Sequence, residues 1–203
     1  MSHISPKDQI LSEGFESVID SGVRSFTVEA LSQRLAMSKK TIYQYFPKKE
    51  ILIKKIIDFR MNKLTNEFKD IVRDEDDAII QFINIRNHHI KFSHKFNLKK
   101  LTHLKARHPD IWEIIEKHRN DRKTIYKDIF TLAKSQLYLR ENLDPDVCSS
   151  LYMNITNSTF QPEFLNENNL EIGEAVTHLR TILSNGFFND SGIEMMNKYS
   201  DLV

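Results

Sequence analysis

Cysteine is nearly absent from this chain of 203 residues: Cys148 stands alone. One thiol cannot close an internal disulfide or build a cysteine zinc site. Glycine and proline are scarce too, five of each, and most fall where helices would start or stop. A sandwich or barrel needs many more turns than that. No run approaches the roughly 18 apolar residues of a membrane span. The first residues carry no long apolar stretch, so no signal peptide is expected and the chain reads as cytoplasmic. No internal repeat is visible. Neither sign of charge dominates, with 29 Lys and Arg against 28 Asp and Glu.

The patterns of catalysis are missing as well. There is no Gly-rich phosphate loop and no nucleophile elbow. Eight histidines are present, but no His-Glu-x-x-His motif. His88 and His89 are adjacent and would point in different directions on a helix. Cys148 has no sequence neighbour to activate it and reads as a small apolar packing residue. The expectation is a protein that is not an enzyme and carries no metal or cofactor.

What is abundant is apolar side chains at helical spacing. They make up 40% of the chain, thirteen Phe among them, enough to fill a core. Ile10, Leu11, Gly14, Phe15, Val18 and Ile19 recur three and four apart, which marks an amphipathic helix. Pro6 suits its first turn and Gly22 the left-handed position after its end. Thr27 is a good N-cap for a short helix with a stripe of Val28, Leu31 and Leu35, and Glu29 faces that helix's positive end. Ser38 caps the next, with Ile42 and Phe46 inward. Pro47 ends it, because a residue before proline avoids helical geometry. A helix to about Val72 follows, carrying Ile51, Leu52, Ile56, Phe59, Leu64, Phe68 and Ile71.

The rest is also helical in pattern. "DEDDAIIQFINIRNHHIKFSHKF" starts acidic and continues with Ile79, Phe82, Ile83, Ile90 and Phe92. "PDIWEIIEKHRNDRKTIYKDIFTLAKSQLYLR" reads as one long helix, with residues from Ile111 to Leu137 inward. Asp144 and Pro145 begin a helix with Val147, Leu151, Tyr152 and Ile155. The Asn-rich "QPEFLNENNL" reads as a loop. The last main helix carries Ile172, Val176, Leu179, Ile182, Leu183 and Phe187. About nine helices and no convincing strand follow from these periods: an all-α chain.

The near-neutral total hides a division. Seven Lys or Arg lie from Arg34 to Lys55 against one acid, Glu50. Lys91 to His108 holds six more and no acid, while Glu141 to Val203 holds ten acids against Arg180 and Lys198. DNA would repel that acidic rear and attract the basic front. The middle segment could be a solvated surface or add to the field of the front.

Three short helices with a tight turn between the second and third form a helix-turn-helix pattern, whose second helix of the pair enters the major groove. Here that helix starts at Ser38 and ends at Phe46. Its first turn presents Lys39, Lys40 and Thr41, and its outer face Gln44 and Tyr45. Lys can reach guanine O6 and N7, Gln can pair with adenine, and Thr can meet the thymine methyl. Lys48 and Lys49 would flank the groove, where cations meet backbone charge.

"TVEALSQRLAMSKKTIYQYFPKKEIL" resembles the DNA-binding domain of the TetR (tetracycline-repressor-like) family of bacterial transcription regulators. The likeness covers about residues 6 to 55. Its most specific part is Ser38, Thr41, Tyr43, Phe46, Lys49 and Glu50 in order and spacing. The common Gly-Val before the serine is Ala36-Met37 here, a departure that loses the smallest residue from the turn. The resemblance implies phosphate contacts by Thr27, Tyr43 and Lys49. It implies base contacts by Lys39, Lys40, Gln44 and Tyr45.

The resemblance further implies an all-helical dimer with a DNA-binding domain over residues 1–50 and a larger helical domain over 51–203. That second domain would bind a small molecule that releases double-stranded DNA and would pair through its last two main helices. Candidate interface residues are Leu151, Ile155, Ile172, Val176, Leu179, Ile182, Leu183, Gly186 and Phe187. The stripe from Ile172 to Phe187 is more apolar than a monomer's helix needs, and Gly186 would allow close approach. Candidate effector-site residues are Phe59, Asn62, Phe82, His88, Phe92, Trp112, Tyr126, Phe130 and Tyr152. Aromatics interleave there with neutral polar groups such as Asn84 and Asn154, and no strong charged pair is evident. That points to a small apolar or aromatic effector.

The leading expectation is a repressor of a palindromic operator. An effector-independent or activating DNA-binding regulator is the first alternative. The second is an all-helical enzyme or small-molecule carrier, which would bind its ligand and not an operator.

Overall fold

The structure, a computed structural model, describes residues 5–200. Twelve helices lie along them, and among these residues no strand forms beyond a single antiparallel bridge between Leu139 and Phe188. No described helix is long and apolar enough to cross a membrane. The chain divides into two compact units. One runs through Leu64 and also takes in His103–His118; the other comprises Thr65–Thr102 and Arg119–Val203.

The first unit holds α1 (Pro6–Ser21), α2 (Val28–Leu35), α3 (Lys39–Tyr45) and the start of α4 (Lys49–Arg73). Each short helix begins where its cap residue sits. Ser5 accepts the N–H of Asp8, Thr27 that of Ala30 and Ser38 that of Thr41, all within 3.1 Å. Every such bond satisfies one of the four amide groups a helix start leaves without a partner. Gly22 follows α1 with φ +78°. Phe46 is extended (φ −136°) ahead of Pro47 and closes α3. Ile10, Phe15, Phe26, Leu31, Ile42, Phe46, Leu52 and Ile56 are buried together in this unit. A Cβ on Gly14 would lie 2.5 Å from the end of the Ile56 side chain, so α1 and α4 meet closely where glycine stands. Ile51, expected inward, is exposed.

The end of α6 (Leu98–Arg107) and most of α7 (Pro109–Asp121) belong to this unit too. There Lys54 pairs with Asp110 at 2.7 Å, and His118 Nε2 lies 2.9 Å from Asp58. Trp112 is buried, donates to Glu116 at 2.7 Å and carries Lys105 over its ring at 5.5 Å.

The second unit is built on α5 (Ala78–Ser93), α8 (Lys123–Ser135), α9 (Pro145–Thr159) and α11 (Ile172–Phe187), with α10 (Pro162–Glu167) and α12 (Asp190–Ser200) beside them. Asp77 caps α5 through the N–H groups of Ile79 and Ile80, and Asp144 caps α9 through that of Val147. At its centre Phe82, Tyr126, Phe130, Tyr152, Phe187 and Phe188 pack ring against ring, with centroids 4.4 to 6.4 Å apart.

Four expectations are corrected in this unit. The long helix from Pro109 is two helices: at Arg122 the N–H turns back three residues to Arg119, which tightens the backbone and separates α7 from α8. Leu137 does not face inward. It lies past the end of α8 with φ +61° and is 77% exposed, so the apolar period outran the helix. "QPEFLNENNL" contains α10, which starts at Pro162. On α11, Leu183 and Phe187 are buried in the chain's own core, Phe187 against Phe130 at 5.0 Å, and are not surface residues of an interface. α12 carries too short an apolar pattern to have been expected.

Candidate nucleic-acid interface

Turn geometry sets the face of α3. α2 ends on Ala36 in the left-handed conformation (φ 51°, ψ 34°). The N–H of Met37 returns to Ser32 O at 3.0 Å and that of Ala36 to Gln33 O at 3.2 Å, a pattern that stops a helix sharply. Ser38 then caps α3, and its hydroxyl lies 2.9 Å from that of Thr41. Ile42 is wholly buried and Phe46 nearly so. Anchored through those two, the helix turns Lys39, Lys40, Tyr43, Gln44 and Tyr45 to solvent. Tyr43 and Tyr45 are each more than two-fifths exposed, so neither is a packed core aromatic. Ser38 and Thr27 are occupied as caps through their hydroxyl oxygens, and both residues are exposed.

The fold also edits the charge of this surface. Within the sequence window only Glu50 opposed seven cations. In three dimensions Arg34 pairs with Glu13 at 2.8 Å and Asp20 at 3.0 Å, Lys39 with Glu29, Lys54 with Asp110 and Lys55 with Asp58. The hydrogen bond that Arg34 donates to Asp20 is the largest reason its guanidinium is held above its ordinary value, and the bond to Glu29 does the same for Lys39. Lys40, Lys48 and Lys49 keep no acid partner among the described residues. They are cations with no acid to displace, and the amide of Gln44 beside them also has no partner there. Lys39 is held by Glu29 at the surface. That pair is exposed, and exposed pairs are held weakly. Glu29 therefore does more than face the positive end of α2, and its spacing ten residues from Lys39 carries no local signal.

The expected effector-site residues are divided between the two units. Phe82, Tyr126, Phe130 and Tyr152 share the aromatic centre of the second unit. Phe92 packs on Phe96 at 5.0 Å, and His88 faces Glu67 at 3.4 Å and the edge of Phe68. Phe59, Asn62 and Trp112 belong to the first unit; Asn62 is exposed and donates to Asp58 O. Asn154 borders a surface cleft of about 400 Å³ with Asn120, Lys123 and Asn157. Buried Arg86 and Arg122 were missed. Their signal was weak: each falls in an apolar stripe, four residues from Phe82 and from Tyr126.

Among the expected pairing residues, Leu151 is 50% and Ile182 66% exposed, and Val147 on α9 is exposed as well. Ile155, Ile172, Val176 and Leu179 are half-buried, and Gly186 is exposed with nothing within 4 Å of where a Cβ would stand. An apolar strip on α9 and α11 thus remains uncovered by the chain itself. Among the described residues no group of His, Cys, Asp and Glu could hold a metal ion.

Residues 10–56 match the family model of bacterial regulatory proteins of the tetR family. The chain is 26% identical over 187 residues to the uncharacterized HTH-type transcriptional regulator YvaF of Bacillus subtilis (strain 168), covering 90% of this chain and 95% of YvaF. Its fold is similar to that of reduced NemR of E. coli (TM-score 0.69, 10% identity, 90% and 96% of the two chains). It is also similar to SmeT in a complex with triclosan (TM-score 0.65, 15% identity, 92% and 93%).

Proposed function

From a chain that belongs to the TetR family of bacterial transcription regulators and binds DNA, we propose a cytoplasmic repressor that holds a palindromic operator as a two-fold dimer and releases it when a small apolar or aromatic effector binds. The observation that carries the reading is the solvent face of α3, cationic and polar, on a helix fixed from behind by Ile42 and Phe46. In this reading Lys40, Gln44, Tyr45 and a released Lys39 read base edges. Thr27, Ser38, Thr41, Tyr43, Lys48 and Lys49 hold phosphates, helped by the amides at the starts of α2 and α3. Residues 1–50 do the binding and 51–203 the sensing and pairing. α4, which belongs to the first unit through Leu64 and then to the second, is the covalent lever.

Two-fold pairing follows from the uncovered strip of Leu151 and Ile182, because a self-complementary patch buries itself against its own copy. Two recognition helices then sit roughly 34 Å apart on successive major grooves. An effector that prefers a differently spaced state draws the population off DNA. The triclosan complex of SmeT is support for a sensing core in this architecture.

A mobility shift on DNA from the chain's own upstream region tests the reading, run beside sedimentation. Leu151→Arg with Ile182→Arg is expected to give folded monomers that leave the palindrome unbound. A double variant that remains dimeric removes the interface. Wild-type protein that ignores its upstream DNA removes the repressor.

A further inference from the structure

Two arginines lie inside the second unit with no acid beside them. Arg122 is 4% exposed and Arg86 8%. Arg86 donates only to Asn87 Oδ1, at 3.3 and 3.4 Å, long for a hydrogen bond to a charged group. Arg122 stacks over the Phe68 ring at 5.6 Å. One Nη1 atom of each is buried with no hydrogen-bond partner. Arginine is rarely buried unless paired, and an unpaired buried charge costs far more than a ring stack returns. Burial, then the like charge of Arg180, pushes the Arg86 guanidinium down to about 10. The charges of both Arg86 and Arg122 reach Tyr152, whose hydroxyl is bonded to that of Tyr126.

The surroundings grade from cationic to aromatic. On α5, Phe82 lies one turn before Arg86. Along α8, Tyr126 and Phe130 follow Arg122 at one-turn steps. Phe82 meets Tyr152 at 5.6 Å and Phe130 meets Phe187 at 5.0 Å. Each arginine thus lies one turn from a ring that packs on Tyr152, Phe82 at 5.6 Å and Tyr126 at 4.4 Å.

We propose that the interior of the second unit binds an amphipathic anion, a carboxylate or phosphate head on Arg86 and Arg122 with an apolar tail along Phe82, Tyr152 and Phe130. Planar guanidinium groups match both heads by paired N–H donors. Rings in contact must part to admit the tail, so the anion prefers a state other than the closed one, the condition for a ligand to shift a population. The consequence at DNA rests on the effector reading above; the binding itself does not.

The test titrates the full chain with decanoate, decyl phosphate, decanol and inorganic phosphate, following binding by calorimetry. Decanoate and decyl phosphate are each expected to bind at least about tenfold more tightly than decanol, and inorganic phosphate more weakly than decyl phosphate. Arg86→Met and Arg122→Met should each bring the two amphipathic anions down to decanol. Decanol binding as tightly as the anions overturns the proposal, as does an anion preference kept by both variants, inorganic phosphate matching decyl phosphate, or no binding of either amphipathic anion. Should a variant fail to fold, the wild-type series decides alone. Operator affinity measured in the same titration separates the two readings. Anions that bind through the arginines but leave DNA bound keep the site and end the effector reading. DNA released by decanol as readily as by decanoate ends the site and keeps the effector.

Discussion

The α3 face and the interior of the second unit both hold cations without acids, and the two could not differ more in what that means. Lys40, Lys48 and Lys49 stand in water, where an ammonium needs no partner and an arriving phosphate only displaces counterions. Arg86 and Arg122 stand where water is scarce, and the missing partner has to be supplied. A free charge on a surface is a capacity; in a core it is a demand. The aromatics divide in the same way. Tyr43 and Tyr45 are exposed beside cations, whereas Phe130 is wholly buried among other rings.

If that contrast holds, the surface responds to salt and the core to packing. Raising salt from 50 to 200 mM is expected to weaken operator binding about 10³-fold or more for a dimer making about 6 phosphate contacts. The three partnerless lysines of each protomer put the value at the lower end of that range, and fluorescence anisotropy at several salt concentrations measures it. A flat response would mean that α3 is not the DNA face.

Truncating the core should do the reverse. Phe130→Ala is expected to lower stability by about 3–5 kcal/mol, read by urea unfolding, while the protein that remains folded binds its operator with an unchanged salt slope. A changed slope would show that packing and surface charge are not separable here.

Within the surface itself, reading and positioning can be told apart. Gln44→Ala should cost about 1–3 kcal/mol on the best site and relax preference at one base pair of each half-site. Lys49→Ala should weaken all sequences alike, because phosphates carry no code. Selection of binding sites from a random pool settles both. An unchanged consensus without Gln44 would remove it as a reader.

The smallest expected effect is at Ala36. A residue with a Cβ in the left-handed region is strained, so Ala36→Gly should raise the melting free energy by about 0.5–1 kcal/mol. A loss of stability on thermal denaturation would mean that the turn relies on the alanine methyl.

How far each region was legible follows from the range of the forces that make it. Thr27, Ser38, Asp144 and the stop at Pro47 could be read because a cap is a bond between residues three apart, and a proline acts on its neighbour. The α3 face could be read because Ile42 and Phe46, four apart, leave only one side for Lys40 and Gln44. The charge of that face could not, since Glu13, Asp20 and Asp110 arrive from distant parts of the chain. On α11 the apolar period named Ile182, Leu183 and Phe187 alike, and it could not say which side meets Phe130.

By itself, then, the order of residues determined the helix starts at Thr27, Ser38 and Asp144, the turn between α2 and α3 and the side chains that α3 turns to solvent, because each depends on contacts within one or two turns. Tertiary structure alone decided that Leu183 and Phe187 are core while Leu151 and Ile182 stay uncovered. It alone placed Arg86 and Arg122 out of water. Burial is a property of what other segments leave exposed, and the cost of a charge depends on the medium around it more than on its neighbours in sequence.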